Sequence, residues 1–431
     1  MTTTINNEHK KLNFSSEREQ SQACLNSAEH EKNQGRKVLN VPNLRFPEFQ
    51  GEWEEERLAD IADLYKGTGI SKDQLSDDGE PCILYGELYT KYKSETIGEV
   101  ISKTNIDNTK LVRSKANDVI IPCSGETAED IATARCVLNG NILLGGDLNI
   151  IRLHGYDGAF MSYQLNGRRK YDIAKVAQGV SVVHLYGEHL KGVKTINPCL
   201  EEQKEIAKLL SLLDERIATQ NKIIDKLQSL IKGINQRVFM NSGTNYKLGE
   251  ICEIRNGYSG SQHLSKKGLK VSRIETISGH KVNMERVGYV APFESSENYR
   301  LQVGDILFSN INSVEYIGNT AFIDKDYDLY HGMNLLRLTP NNMVVIPFYL
   351  YLLLNTNRML NRFKTVCNKA VSQASINQTE LGKTVVQIPD INAQKQICEL
   401  YQALYDKLES EKYANSLFQK QKQYLLRQMF I

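Results

Sequence analysis

The sequence predicts an α+β protein in which two similar mixed α/β domains are separated by two long helices. These helices form an antiparallel coiled coil with pseudo-twofold symmetry. Three observations carry this. Residues 201–240 hold a sustained heptad seam, a second seam of similar length closes the chain over 392–431, and the stretches before the two seams repeat one another in order.

In the first seam one register takes Leu210, Ile217, Ile224, Ile231 and Val238, and the interleaved one takes Ile206, Leu213, Gln220, Leu227 and Ile234. Nine of these ten positions are apolar and the other faces are charged or amidic, which is the 3.5-residue spacing of a coiled-coil stripe. Forty residues of helix make a rod of roughly 60 Å. Such a rod leaves its stripe uncovered unless a partner helix meets it. The second seam reads Ile397, Tyr401, Leu404, Leu408, Glu411, Asn415, Phe418, Lys422, Leu425 and Met429. Its polar step at Glu411 and Asn415 matches that at Gln220. Two rods of one chain, each following a globular domain, meet antiparallel, with the domains at opposite ends.

The repeat is collinear. Arg57-Leu58-Ala59-Asp60-Ile61 through Lys66-Gly67 returns as Lys247-Leu248-Gly249-Glu250-Ile251 through Asn256-Gly257. Asp118-Val119-Ile120 returns as Asp305-Ile306-Leu307, and Asn149-Ile150-Ile151-Arg152-Leu153 as Asn334-Leu335-Leu336-Arg337-Leu338. Val180-Ser181 returns as Val371-Ser372, and Leu190, Pro198, Gln203 and Ile206 as Leu381, Pro389, Gln394 and Ile397.

Taken in order, residues 1–40 are polar and carry too little apolar surface to offset their ordering entropy, so they read as a poorly ordered tail. The first domain spans 41–200. Its opening run Pro42–Phe49 reads as an extended segment pinned by Phe46 and Phe49. Strands are expected at Cys82–Tyr85, Asp118–Pro122, Ile142–Leu144 and Leu148–Leu153, with a helix over Ala159–Ala174. The first long helix spans 201–241 and ends in the polar breaker Asn241–Asn245. The second domain spans 242–390, with strands at Gly249–Ile254, Asp305–Phe308 and Asn334–Leu338 and a helix from Pro347 to Arg362. The second long helix spans 391–431.

A net charge of +2, from 53 basic and 51 acidic residues, excludes a polycation; a nucleic-acid surface would be local. The eight cysteines are scattered without a C-x-x-C pair or zinc-ligand spacing, as in a reducing cytoplasm. No run of apolar residues is long enough to span a membrane, and no signal-peptide pattern opens the chain. The phosphate-cradling, dinucleotide, nucleophile-elbow and zinc-protease motifs are absent. Gly145-Gly146-Asp147 reads as a turn, His184 and His189 as a poor metal pair, and Glu126, Glu129 and Asp130 as a solvated loop cluster.

Two similar domains held on a rod suit two points on a linear polymer. Half-sites on one face of a duplex lie roughly 34–36 Å apart per turn, within reach of such a rod. Arg, Lys, Asn and Gln supply phosphate and bidentate base contacts. In the first domain the candidates are Lys66, Lys72, Tyr85, Ser124, Thr127, Arg168, Arg169 and Gln178. In the second they are Arg255, Asn256, Tyr258, Arg273, Asn310, Asn312, Asn368, Lys369 and Gln373.

Four stretches then resemble the specificity subunits of bacterial type I restriction–modification systems, in a staphylococcal-like branch. They are Leu44–Phe49 with Gly51–Glu54, Tyr85–Thr90, Ser124–Ile131, and Pro198 through Glu202–Ala207 with its copy from Pro389 through Gln394–Ile397. The resemblance covers about residues 41–431. It implies that the mixed domains are target recognition domains and the long helices conserved spacers that set the gap in a split double-stranded DNA target. It also implies a chain without catalysis of its own. Two methyltransferase subunits would methylate adenine using S-adenosylmethionine, and two restriction subunits would supply the ATP- and Mg-dependent motor and nuclease. Two other readings are a fused methyltransferase, for which residues 1–40 leave no room, and a coiled-coil interaction scaffold that binds no DNA.

Overall fold

The structure, a computed structural model, describes residues 40–107, 109–179, 182–239, 243–262, 266–369 and 373–431. The tail expected over 1–40 lies outside the described residues up to position 39, as do Met240 and the repeated pairs Val180-Ser181 and Val371-Ser372. The chain divides into two compact units, Met1–Glu215 with Lys420–Ile431, and Arg216–Gln419.

The first unit is built on a five-stranded sheet: β1 (Ala62–Lys66), β2 (Thr96–Ile97), β3 (Asp118–Pro122), β4 (Arg135–Val137) and β5 (Leu148–Leu153). Their spatial order is β1-β5-β3-β4-β2, antiparallel except between β4 and β2. Every residue of β3 is buried, which is why this strand reads as an unbroken apolar run and not as an alternation. The helix expected over Ala159–Ala174 is two helices, Gly158–Asn166 and Lys170–Val176. Asp157 caps the first by accepting from the Phe160 N–H at 2.8 Å, and Gly167 breaks the run while its N–H still reaches the Tyr163 carbonyl. The Pro42–Phe49 segment is not extended throughout. It turns at Pro47, with Phe49 N–H on the Phe46 carbonyl and the two rings edge to face at 6.5 Å. The acidic stretch at Glu126–Asp130 is not a loop alone: Ala128–Ile131 is a helical turn capped by Thr127.

The second unit repeats this frame with β6 (Cys252–Asn256), β7 (Ile306–Ser309), β8 (Thr320–Phe322) and β9 (Leu335–Pro340), ordered β6-β9-β7-β8 and antiparallel throughout. The strand expected at Gly249–Ile254 begins later, because Leu248–Ile251 forms a helical turn that buries Leu248 and Ile251 on one side. The helix from Pro347 also breaks in two, Pro347–Leu354 and Asn357–Val366, with Thr356 capping the second piece.

Internal polar contacts are duplicated as well. Arg152 meets Asp118 at 2.8 Å in the first unit and Arg337 meets Asp305 at 2.8 Å in the second. Buried Gln203 donates to the Pro198 carbonyl (2.8 Å) and accepts from the Asp157 N–H (2.9 Å). Buried Gln394 does the same with Pro389 (2.9 Å) and Ile346 (2.8 Å). Each glutamine thus ties the start of a long helix to the start of its domain's helix pair, satisfying groups that burial would otherwise leave unpaired.

The long helices span Leu200–Val238 and Ile391–Gln428. Every seam position named above is buried or half-buried in both. Within the second unit Ile224, Leu227, Ile231 and Ile234 pack with Ile397, Tyr401, Leu404 and Leu408. Gln220 faces Glu411, and Asn235 faces Tyr401, so the partners descend as the first helix ascends: the pair is antiparallel. Gln220 Nε2 donates to the Glu411 carbonyl at 3.1 Å and to its carboxylate. Asn415 pairs one position further on, with Asn221 at 2.9 Å. The third polar seam residue, Lys422, lies in the first unit and belongs to a buried ion cluster, with Glu95 at 2.5 Å and Asp214 at 2.6 Å.

Candidate nucleic-acid interface

In each unit a small ribbon stands apart from the main sheet. In the first, Ser124–Gly125 pairs antiparallel with Val183–His184, and Gln178 bridges to His184 through both backbone groups at 2.9 and 2.7 Å. Ser124 and Gln178, named from sequence, are thus brought together, with Thr127 capping the turn that follows. Lys66 stands exposed at the end of β1, 3.9 Å from Asp147. Tyr85 is exposed, and Lys72 lies elsewhere, on a 3-10 turn leading into the short strand Leu75–Ser76. In the second unit Ile311–Asn312, Ala374–Ser375 and Asn368–Lys369 form a three-stranded ribbon. It gathers Asn312, Asn368, Lys369 and Gln373, the last three exposed.

Four of the expected contact residues are engaged by other groups of their own unit. Arg168 donates to the carbonyls of Arg427 (2.8 Å) and Phe430 (3.4 Å), and Arg169 to that of Ile431 (3.3 Å). Arg168 thereby satisfies a carbonyl in the last turn of the second long helix, a favourable place for a basic group, and the two arginines also hold the residues just beyond it. Asn310 is only 8% exposed, drawn in where its carbonyl accepts from the Ile376 N–H. Tyr258 lies flat on Phe293, ring centres 4.0 Å apart, with Tyr299 against their edges. Of the rest, Arg255 pairs with Glu253, Asn256 with Gln378, and Arg273 lines a cleft of about 380 Å³ beside Gln262 and Asn334.

Sequence reading missed Tyr186, which is 54% exposed, stacked on His184 and edge-on to His189 beside the first ribbon. An isolated aromatic between two histidines gave no periodic signal. It also missed the Asp118–Arg152 and Asp305–Arg337 pairs, although the repeat had already aligned them. Among the described residues no group of three or more His, Cys, Asp or Glu side chains could hold a metal ion. Burial pushes the Cys82, Cys123 and Cys398 thiols up to about 11, so these are protonated thiols at neutral pH. No described helix is long and apolar enough to cross a membrane.

A family model described as the type I restriction modification DNA specificity domain matches residues 50–229 and again 242–416, one copy for each arm of the repeat. The chain belongs to this family. It is a specificity subunit, the component of a type I restriction–modification complex that determines DNA target recognition. As such it is non-catalytic, and the cofactors of the reaction reside in the methyltransferase and restriction subunits. The chain is similar to two specificity subunits of Methanocaldococcus jannaschii. The putative MjaX subunit is 44% identical over 158 residues, 36% of this chain and 37% of that protein. The MjaVIII subunit is 24% identical over 413 residues, 89% and 92% of the two. The fold is like that of the type I S subunit of M. genitalium, with a TM-score of 0.60, 17% identity and coverage of 91% and 99%. A chain from a structure concerned with assembly and conformational transition of the type I system matches with a TM-score of 0.54 at 16% identity, covering 88% and 97%.

Proposed function

We propose that this specificity subunit reads a split double-stranded DNA target, each domain (41–200 and 242–390) taking one half-site, with the helix pair setting the gap. The observation that carries this is the repeat itself. The two sheets share strand order, a buried Asp–Arg pair and a buried Gln at the helix start, while their ribbons and exposed loops differ. One frame with two sets of loops suits one polymer read at two different sequences. The duplex contacts come from the exposed and half-buried candidates Lys66, Lys72, Tyr85, Ser124, Thr127 and Gln178 in one unit, and Arg255, Asn256, Arg273, Asn312, Asn368, Lys369 and Gln373 in the other.

The partners are two methyltransferase subunits, which methylate adenine with S-adenosylmethionine, and two restriction subunits that use ATP and Mg. Exposed apolar residues on the helices, Ile223 and Leu230 on the first and Tyr413 and Leu417 on the second, suit methyltransferase docking. The working complex is cytoplasmic, where the host's DNA is. Assignment to a staphylococcal-like branch rests on the motifs quoted above; the relatives at hand are archaeal and from Haemophilus influenzae.

The test is to map methylated adenines in cells carrying altered subunits. Replacing residues 55–195 changes one half-site only; a change in both refutes independent reading. Inserting four residues within 222–232 lengthens the rod by about 6 Å, roughly two base pairs, and nearly preserves the phase of the seam. The gap should widen with both half-sites intact, and an unchanged gap refutes the ruler.

A further inference from the structure

The two copies of the buried aspartate–arginine pair differ in what surrounds the arginine. In the first unit the fork is closed. Arg152 Nε and Nη2 both reach Asp118, at 2.9 and 2.8 Å, and the Tyr65 ring lies 4.9 Å from the guanidinium. Directly opposite Arg152 across the strand pair is Asp63, an opposite charge. In the second unit the residue directly opposite Arg337 is Arg255. Like charges at such positions repel.

The Arg337 fork is also open. The residue is 8% exposed, its Nη2 meets Asp305 at 2.8 Å and its Nη1 donates to the Arg300 carbonyl at 3.0 Å. Its Nε–H has no acceptor, and a buried guanidinium N–H is a costly group to leave unpaired. Both arginines line a cleft of about 540 Å³ with Asn256, Asn298, Gln378 and His331, and no carboxylate is among the lining residues. Glu253 and Asp305, the acidic partners of the two arginines, stand outside it.

We propose that this cleft is an oxyanion site of the second recognition domain and that its occupant is a phosphodiester group of the target duplex. The first domain has no counterpart, because Asp63 and the closed fork neutralise the equivalent place. An anion between the two arginines relieves their repulsion and supplies the acceptor that the Arg337 Nε–H lacks. The inference rests on the DNA-reading role proposed above.

Arg255→Asp tests it, since it recreates the cross-strand pairing of the first unit on a half-exposed side chain; Arg255→Gln removes the charge without reversing it, and Lys383→Gln is the surface control. In one arm, the full chain is melted in inorganic phosphate and in chloride at matched ionic strength. Phosphate raises the midpoint saturably for the parent and for Lys383→Gln but for neither Arg255 variant. An equal rise in all four, or none in any, overturns the oxyanion site. In the other arm, duplex binding by the chain assembled with its methyltransferase partners is measured against salt. Both Arg255 variants lower the slope of log K against log salt by about one without changing which half-sites are read. A parent-like slope, with the phosphate effect intact, overturns the duplex phosphate as occupant. Absence of duplex binding by every protein sinks the DNA-reading role itself, and the phosphate arm still decides the site.

Discussion

Lys422→Met is the most informative single change in the helix pair. Lys422 Nζ lies between Glu95 and Asp214, and the three side chains are 15%, 11% and 8% exposed. Asp214 also accepts from the Tyr163 hydroxyl at 2.7 Å and from Ser94 at 3.1 Å. With Arg135, whose charge acts on Glu95, the cluster is formally neutral: two carboxylates against two cations. Methionine keeps the length and volume of the stem and leaves one buried negative charge uncompensated. Removing one partner of a buried pair costs about 3–5 kcal/mol.

The cost depends on pH in a defined direction. Burial lifts the Glu95 carboxyl above its usual range, Lys422 opposes that lift and Asp214 adds to it. A carboxylate raised in the fold contributes stability below its unfolded value and loses it as pH rises through the folded value. Without Lys422 the lift grows, so the penalty is larger at pH 8 than near pH 5. The assay is amide hydrogen exchange over 92–97 and 210–218 in the full chain, corrected for the intrinsic rate. About 3–5 kcal/mol corresponds to roughly two to three and a half decades of lost protection at pH 8. Equal losses at both pH values, or less than about one decade at pH 8, would refute the idea that Lys422 neutralises a buried acidic pair.

Three further outcomes test the repeated frame. Gln203→Ala removes two side-chain hydrogen bonds and Gln394→Ala three at equivalent places, so each should cost about 2–4 kcal/mol in denaturant unfolding, the two values agreeing within about a factor of two. Gln220→Leu combined with Glu411→Leu replaces the polar step of the seam by apolar packing and should raise the unfolding midpoint by roughly 2–4 °C; a lower midpoint would show that the polar step is net stabilising. Gly67→Ala and Gly257→Ala each drive a Cβ into a backbone carbonyl, that of Gly145 and of Gly332 respectively. Circular dichroism melts should show both variants destabilised by about 1–3 kcal/mol, whereas Gly233→Ala, which meets open space in the first long helix, should stabilise by about 0.5–1 kcal/mol.

What was legible in the sequence is what periodicity and collinearity encode. The seam residues lie where the heptads put them because a helix carries its stripe at a fixed angle, and the facing of Gln220 on Glu411 follows from matching the two polar steps. Strands β3 and β5 were legible because central strands bury both faces. The helix breaks at Gly167 and Asn355 were not, since apolar residues resume within about a turn and a half of each (Tyr171 and Ile173; Met359 and Leu360) and a lone Gly or Asn is tolerated within many helices. Lys422 reads as a gap in the stripe; only the fold brings it to Glu95, more than three hundred residues away in sequence. Arg168 and Arg169 read as a surface basic pair for the same reason, because the carbonyls they satisfy come from the far end of the chain.

The division between fixed and variable positions follows from burial. Asp118 and Asp305, Arg152 and Arg337, and Gln203 and Gln394 are kept because each is a polar group out of water whose partner is set by the frame, and changing one strands the other. The residue beside that frame is free to differ. Asp63 on β1 and Arg255 on β6, both at the strand surface, face the kept arginine across the ladder; the repeat itself aligns Asp63 with Glu253, and a two-residue offset between the ladders brings Arg255 to that place instead. A change of sign there alters the field seen by a ligand while leaving the sheet, the helix start and the seam untouched. A protein that must keep one architecture and vary what it reads needs such positions: surface residues one strand away from an aspartate–arginine pair fixed by the frame. On this argument, exchanging loops between the two domains should be tolerated where the grafted segment ends at β-strand positions whose inward neighbours are the shared Asp and Arg, and should fail where it carries only one of them.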